Sequence, residues 1–112
     1  MNLTKFLNKI YFAHSIKRLN RYATEPDKVQ HEVLMRVVGK AKNTDWGKKY
    51  DYATIRTYDD FKSHVPLQTY EEVKPYVERL RVGEQNLLWP SEIRWFAKSS
   101  GTTNDKSKFL PV

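Results

Sequence analysis

The residues between positions 99 and 108 have side chains suited to binding phosphate. This segment combines hydroxyl groups, one glycine and two lysines: Ser99, Ser100, Gly101, Thr102, Thr103, Lys106 and Lys108. Gly101 allows the backbone to turn with its N–H groups pointing inward, in the geometry that binds anions. The hydroxyls would add short hydrogen-bond donors, and the lysines would add positive charge. The composition indicates either a polyphosphate-binding loop or an ordinary polar turn.

No other segment has residues spaced for catalysis or metal binding. The three histidines, His14, His31 and His64, lie on different predicted elements and share no metal-ligand spacing. Glu71 and Glu72 are neighbours, so on a helix their carboxylates would point about 100° apart and would not face a common substrate. We therefore expect no catalytic residues and no metal ligands among these 112 residues.

Composition limits the classes of protein to which the chain can belong. Its 112 residues suffice for about one small domain, and a hydrophobic content of 39% is too high for a disordered segment. The lack of cysteine excludes disulfides, zinc fingers and thiol catalysis, and it agrees with the cytoplasmic location that we expect. No apolar run approaches the ~20 residues of a membrane span, so no membrane partner is expected.

The net charge of +7 favours an acidic partner, which could be nucleic acid, an anionic membrane surface or a phosphate-bearing substrate. The lysines and arginines are scattered in singles and pairs along the sequence. Scattered basic residues are typical of solvated helix faces. Charge alone therefore does not select among these partners.

Three helices are predicted ahead of the phosphate-binding segment, over residues 3–21, 25–42 and 70–82. The first has apolar residues on two opposite faces, which predicts burial between neighbouring elements. Thr24 is predicted to cap the second helix, with Pro26 in its first turn. Residues 43–54 are interpreted as a connector.

The third helix has start and stop signals. Thr69 and Glu72 have the spacing of a capping box, and Gly83 would end the helix. Thr57 and Asp60 predict a further short helical turn. Pro75 lies beyond the first turn of the third helix, where its missing N–H predicts a kink or a restart.

The C-terminal segment, 93–112, is predicted to be a strand, the phosphate loop and a second strand. Residues 93–97 are rich in strand-forming side chains and predict a buried strand. Residues 109–112 look like the start of another strand, which would have no room to pair. We therefore expect the chain to be part of a longer protein. The expected fold is mostly α-helical with one or two strands at the C-terminal end.

The phosphate-binding segment, Ser99 to Thr103 followed by Lys108 and Pro111, resembles the phosphate-loop signature of the adenylate-forming superfamily. It is most similar to plant auxin-responsive acyl-acid amido synthetases and their bacterial relatives. Further matching stretches are Thr44 to Tyr50, Phe61, Val65 to Glu71, Gly83-Glu84 and Trp95-Phe96. The resemblance covers about Gln30 to Val112, with no match in residues 1–25.

The resemblance implies an enzyme that uses ATP and Mg²⁺ to activate a carboxylic acid and then passes the acyl group to an amine or amino acid. Residues 1–112 would be the N-terminal part of its larger α/β domain and would be inert alone. The family's phosphate-binding positions correspond to Ser99, Ser100, Gly101, Thr102, Thr103 and Lys108, with Lys106 nearby. Asp105 departs from the pattern, which commonly has a second glycine there.

Two alternatives stay open at the level of sequence. A basic helical module could bind nucleic acid without sequence preference, with aromatic residues such as Trp46 and Tyr50 stacking on bases. A non-catalytic relative could instead serve as an interaction domain, which the unusual Asp105 would favour. We expect no nucleic-acid partner, and a steep dependence of DNA affinity on salt would argue otherwise.

Overall fold

A computed structural model describes residues 2–101 and 107–112. The elements are α1 (Leu3–Thr24), α2 (Pro26–Ala41), α3 (Asp45–Lys49), a 3₁₀ turn (Tyr52–Thr54), α4 (Tyr58–His64), α5 (Tyr70–Arg81), β1 (Phe96–Lys98) and β2 (Phe109–Pro111). The expected fold class, mostly helical with strands at the C-terminal end, is confirmed. Within the described residues, no helix is both long and apolar enough to cross a bilayer.

The chain divides into two compact units, residues 1–34 and 35–112. In the first unit, α1 extends three residues past the predicted end at 21, and Thr24 is its last residue. The prediction that Thr24 caps the next helix is wrong, because its hydroxyl donates a hydrogen bond back to the Asn20 carbonyl (3.0 Å). The side chain of Arg21 instead links the helices by pairing with Glu32.

The apolar residues of α1 are not buried within this chain, contrary to the expectation from its two apolar faces. All residues of α1 are exposed, including Leu3 at 70% and Leu19 at 65%. Periodicity alone could not have revealed this, since it shows where apolar side chains lie on a helix but not whether another element covers them.

The second unit has a small core, to which α2, the 3₁₀ turn, α5 and the segment after α5 contribute buried side chains. The buried apolar residues are Val38, Ala41, Tyr52, Ile55, Val77, Leu80 and Leu87. Helix α2 lies one residue inside each end of the predicted range 25–42. Helix α5 ends one residue before the predicted position 82.

The predicted connector over 43–54 contains a helix, α3, and this interpretation is corrected. The buried Thr44 hydroxyl begins α3 by donating to the Ala41 carbonyl (2.7 Å) and accepting from the Gly47 N–H (3.0 Å). The Trp46 N–H donates to the Leu87 carbonyl (2.9 Å), which ties α3 to a segment far along the chain. A five-residue helix is too short to show an apolar period, so periodicity could not reveal it.

The short helix predicted at Thr57 and Asp60 and the capping box predicted for α5 are both present, and α4 also begins with a capping box. At α4, the Thr57 N–H donates to the Asp60 carboxylate (2.9 Å), and the Thr57 hydroxyl accepts from the Asp60 N–H (3.1 Å). At α5, the Glu72 carboxylate accepts from the N–H and the hydroxyl of Thr69, at 2.6 and 2.8 Å. These bonds satisfy N–H groups that have no partner within the helix.

Helix α5 runs through Pro75 without a restart, which corrects that part of the prediction. The carbonyl that loses a partner belongs to Glu71, and both Glu71 and Pro75 are exposed, so water can satisfy it. Gly83 ends the helix as expected, with a φ of 102°. The N–H of Gly83 donates to the Leu80 carbonyl (3.0 Å), and that of Glu84 donates to the Arg79 carbonyl (3.1 Å), which together form a Schellman motif.

The Glu72 cap predicts a dependence of stability on pH. The hydrogen bonds from Thr69 lower the pKa of Glu72 below its ordinary value of 4.5. A folded-state pKa below the unfolded one stabilises the protein above the unfolded value, and this stabilisation is lost as the pH falls through the folded value. Acid unfolding followed by circular dichroism should therefore begin at higher pH in Glu72→Gln than in wild type. Glu71→Gln, which leaves the cap intact, should match wild type; an identical shift in both variants would contradict this assignment.

The strands form an antiparallel pair, in which Phe96 lies opposite Pro111 and Lys98 opposite Phe109. The first strand starts later than predicted, and it is not buried, since Phe96 is half-buried and Ala97 and Lys98 are exposed. Trp95, which the prediction included in the strand, is 76% exposed. The expectation that the second strand has no room to pair is also wrong, because β2 pairs with β1.

Candidate functional site

The two ends of the segment 99–108 are joined by two hydrogen bonds at the end of the β1–β2 pair. The Ser99 N–H donates to the Lys108 carbonyl (2.9 Å). The Lys108 N–H donates to the Ser99 hydroxyl oxygen (3.0 Å), and both residues are half-buried. Ser99 and Lys108 therefore lie side by side, and together they form the loop base.

The first residue of α5 contacts the loop base from the other side. The Tyr70 hydroxyl accepts a hydrogen bond from the Phe109 N–H (3.0 Å) and donates one to the Phe109 carbonyl (3.2 Å). The capping box at Thr69 determines where α5 begins and so places Tyr70 at this point. Thirty-nine positions of sequence separate the two residues, so the contact is purely tertiary.

Among the described residues, three positively charged side chains lie near the loop base. The Lys108 ammonium lies 5.6 Å from the centre of the Tyr70 ring. The Arg81 guanidinium lies 3.8 Å from the centre of the Phe109 ring, and the Lys98 ammonium lies 5.9 Å from it. Arg81 also pairs with the Glu78 carboxylate (3.1 Å), which offsets its charge. The two ammonium groups are of the kind that binds phosphate oxygens.

The structure brings together some of the predicted phosphate-binding residues. Ser99 and Lys108 are adjacent, and Ser100 and Gly101 follow Ser99 as exposed residues. The others, Thr102, Thr103 and Lys106, lie outside the described residues, as does Asp105.

The sequence interpretation missed three contributors to the loop base. Tyr70 was noted only within the resembling stretch Val65 to Glu71, and Arg81 and Lys98 were given no role. Their position is decided by the packing of α5 against β2. No spacing rule connects residues so far apart, although a tyrosine in the first turn of a helix was a weak signal.

A second group of aromatic residues surrounds a lysine of the same unit. The Lys49 ammonium lies 5.6 Å from the ring centre of Trp46, 5.1 Å from that of Tyr50 and 5.7 Å from that of Tyr76. A hydrogen bond with Tyr50 raises the pKa of Lys49 above its ordinary value. The faces of these rings are thus engaged within the chain, as expected for aromatic residues that pack rather than stack on bases.

Comparison with known proteins identifies the family. The sequence model of the GH3 family N-terminal domain matches residues 15–112. The match begins well before Gln30, where the resemblance was expected to begin. Indole-3-acetic acid-amido synthetase GH3.2 of Arabidopsis thaliana is 33% identical over 99 residues, covering 88% of this chain and 18% of that protein. Indole-3-acetic acid-amido synthetase GH3.4 of the same plant is 31% identical, with shares of 88% and 17%.

A solved structure agrees with these matches. The GH3.15 acyl acid amido synthetase superposes with a TM-score of 0.75 at 26% identity, covering 86% of this chain and 17% of that chain. The chain thus spans less than a fifth of the length of the relatives that it matches. Since the family model covers most of its residues, this chain belongs to the GH3 family and corresponds to part of the family's N-terminal domain.

Proposed function

We propose that the protein to which this chain belongs is an ATP-dependent ligase that joins a carboxylic acid to an amino acid or another amine. The observation that carries the proposal is the hydrogen-bonded pair Ser99 and Lys108 at the two ends of the phosphate-binding segment, within a chain related to amido synthetases. The proposed phosphate ligands are Ser99, Ser100, Gly101, Thr102, Thr103, Lys106 and Lys108.

The chemistry follows from the charges that such a reaction moves. A carboxylate oxygen attacks the α-phosphorus of ATP, a new P–O bond forms, and the bond to the β-phosphate oxygen breaks with its electron pair leaving on pyrophosphate. Negative charge therefore builds on the departing group, and the N–H groups, hydroxyls and lysines of the loop would stabilise it. Mg²⁺ accompanying ATP would neutralise further phosphate charge.

The amine then attacks the activated acyl carbon and the C–N bond forms. The bond from that carbon to the AMP oxygen breaks with its electron pair leaving on AMP, and the amine nitrogen loses a proton. Catalytic groups for this step and the pockets for acid and amine would lie outside residues 1–112. We also propose a cytoplasmic location, since the reaction consumes ATP and the chain has no cysteine.

Acid-dependent exchange of labelled pyrophosphate into ATP tests the proposal. The longest product of the gene should be incubated with Mg²⁺, ATP and a panel of aromatic, aliphatic and fatty acids. Exchange that requires one of the acids is the expected result. Residues 1–112 alone should give none, because they span so small a share of the relatives.

A folded full-length protein that catalyses no exchange with any acid would contradict the ligase proposal. DNA binding would then be measured between low and moderate salt. An affinity that falls steeply with the logarithm of salt concentration would support the basic nucleic-acid-binding module in its place.

A further inference from the structure

We propose that Tyr70 is a positioning residue for Lys108. It would act by fixing the peptide group between Lys108 and Phe109. The inference rests on the proposed function, since it assigns a role within the same site. Tyr70 does not touch the reacting atoms in this proposal. It acts through Lys108, whose ammonium lies 5.6 Å from the centre of the Tyr70 ring.

The peptide group between Lys108 and Phe109 is held from both sides. Its carbonyl, on Lys108, accepts from the Ser99 N–H at 2.9 Å, and its N–H, on Phe109, donates to the Tyr70 hydroxyl at 3.0 Å. A peptide group held at both its oxygen and its nitrogen has little freedom to rotate. The direction in which the Lys108 side chain leaves the backbone is thereby restricted.

The hydroxyl of Tyr70 bonds to the edge of β2 that faces away from β1. In an antiparallel pair, successive residues alternate between facing the partner strand and facing away from it. Lys108 bonds to Ser99, and Val112 donates to the Trp95 carbonyl (3.0 Å), so the N–H and carbonyl of Phe109 point to the outer side. Tyr70 satisfies both of these groups, whereas a phenylalanine could fill the same space without bonding to either.

A positioning role explains a tyrosine at position 70 better than packing does. The residue is only half-buried, and hydrophobic burial of the ring does not require its hydroxyl. The hydroxyl both donates and accepts, and both partners are on the residue next to Lys108. The ring face is turned to the Lys108 ammonium, which supplies a second restraint on that side chain.

The first test is a double-mutant cycle on acid-dependent exchange, using the longest product of the gene. Tyr70→Phe should lower kcat/KM for ATP by about tenfold, the effect of losing one well-formed hydrogen bond that is partly buried. In a Lys108→Ala background, the same change should have less than about a twofold effect, because the side chain that it positions is gone. Tyr58→Phe, at an exposed tyrosine, should leave activity unchanged.

Two results would overturn the inference: full activity in Tyr70→Phe, or an equal tenfold loss with and without Lys108. The second would mean that the hydroxyl serves the fold generally. Absence of exchange in wild type would instead contradict the proposed function, and the two failures are thus distinguishable.

Amide hydrogen exchange provides a readout that does not depend on activity. In Tyr70→Phe, the Phe109 amide should exchange about tenfold faster than in wild type, since it has lost its acceptor. The Ser99 amide, which bonds to the Lys108 carbonyl, should accelerate too if the shared peptide group has been released. Unchanged hydrogen exchange of the Phe109 amide would overturn the inference, whatever the enzyme assays show.

Discussion

Replacing Lys108 with alanine is expected to lower acid-dependent ATP–pyrophosphate exchange by about a hundredfold or more. Losing one preorganised group that stabilises developing negative charge typically costs an enzyme this much. The loop base should survive the change, because the Ser99–Lys108 bonds involve only the main chain of residue 108. The loss should therefore appear mainly in kcat, with a thermal midpoint close to that of wild type.

Lys98→Ala is the matched control. Lys98 is a second lysine near the loop base among the described residues, and its ammonium lies 5.9 Å from the Phe109 ring centre. If general positive charge attracts ATP, both variants should raise KM similarly, and the effect should fade at high salt. Equal losses in the two variants would contradict a specific role for Lys108.

Replacing Gly47 with alanine is expected to destabilise the protein by about 3 kcal/mol, at the upper end of the usual cost of overpacking. A Cβ atom at this position would lie 2.0 Å from the Ala41 carbonyl oxygen and 2.9 Å from the Lys42 Cα. Both obstacles are backbone, so no side-chain rotation relieves the clash. Urea unfolding monitored by tryptophan fluorescence should show the loss, since Trp46 is the adjacent residue.

Gly39→Ala is the same chemical change, but we expect it to have the opposite effect on stability. Gly39 lies inside α2, and an added Cβ would meet nothing within 4 Å. Alanine there should stabilise the protein by about 1 kcal/mol through its higher helix propensity. Equal destabilisation by both substitutions would show that the close approach at Gly47 does not limit folding.

Gly47 lies in the stretch from Thr44 to Tyr50. From the sequence alone, this stretch is notable only for its resemblance to the amido synthetase family. In the structure, Thr44 connects the end of α2 to the start of α3, and Gly47 lets these backbones approach. Residues in this stretch thus have a structural reason for their types, independent of ATP.

The sequence by itself determined the ends of α2 and α5 to within one residue, and the start of α4. Capping signals act through side chains three residues from the groups that they bind, so Thr57–Asp60 and Thr69–Glu72 could be paired without knowing the fold. The turn at Gly83 is likewise local, because glycine tolerates a φ of 102°. The composition of the loop and the family resemblance were also available at that level.

Tertiary structure decided the features that depend on distant neighbours. The exposure of α1 and of Trp95 depends on which other elements cover them, and apolar type does not settle this. Helix α3 is too short for a periodic pattern and is tied to the distant residue Leu87. The hydrogen bonds between Tyr70 and Phe109 exist only because α5 packs on β2. Local propensity reaches a few residues along the chain, whereas the loop base is assembled from residues about forty positions apart.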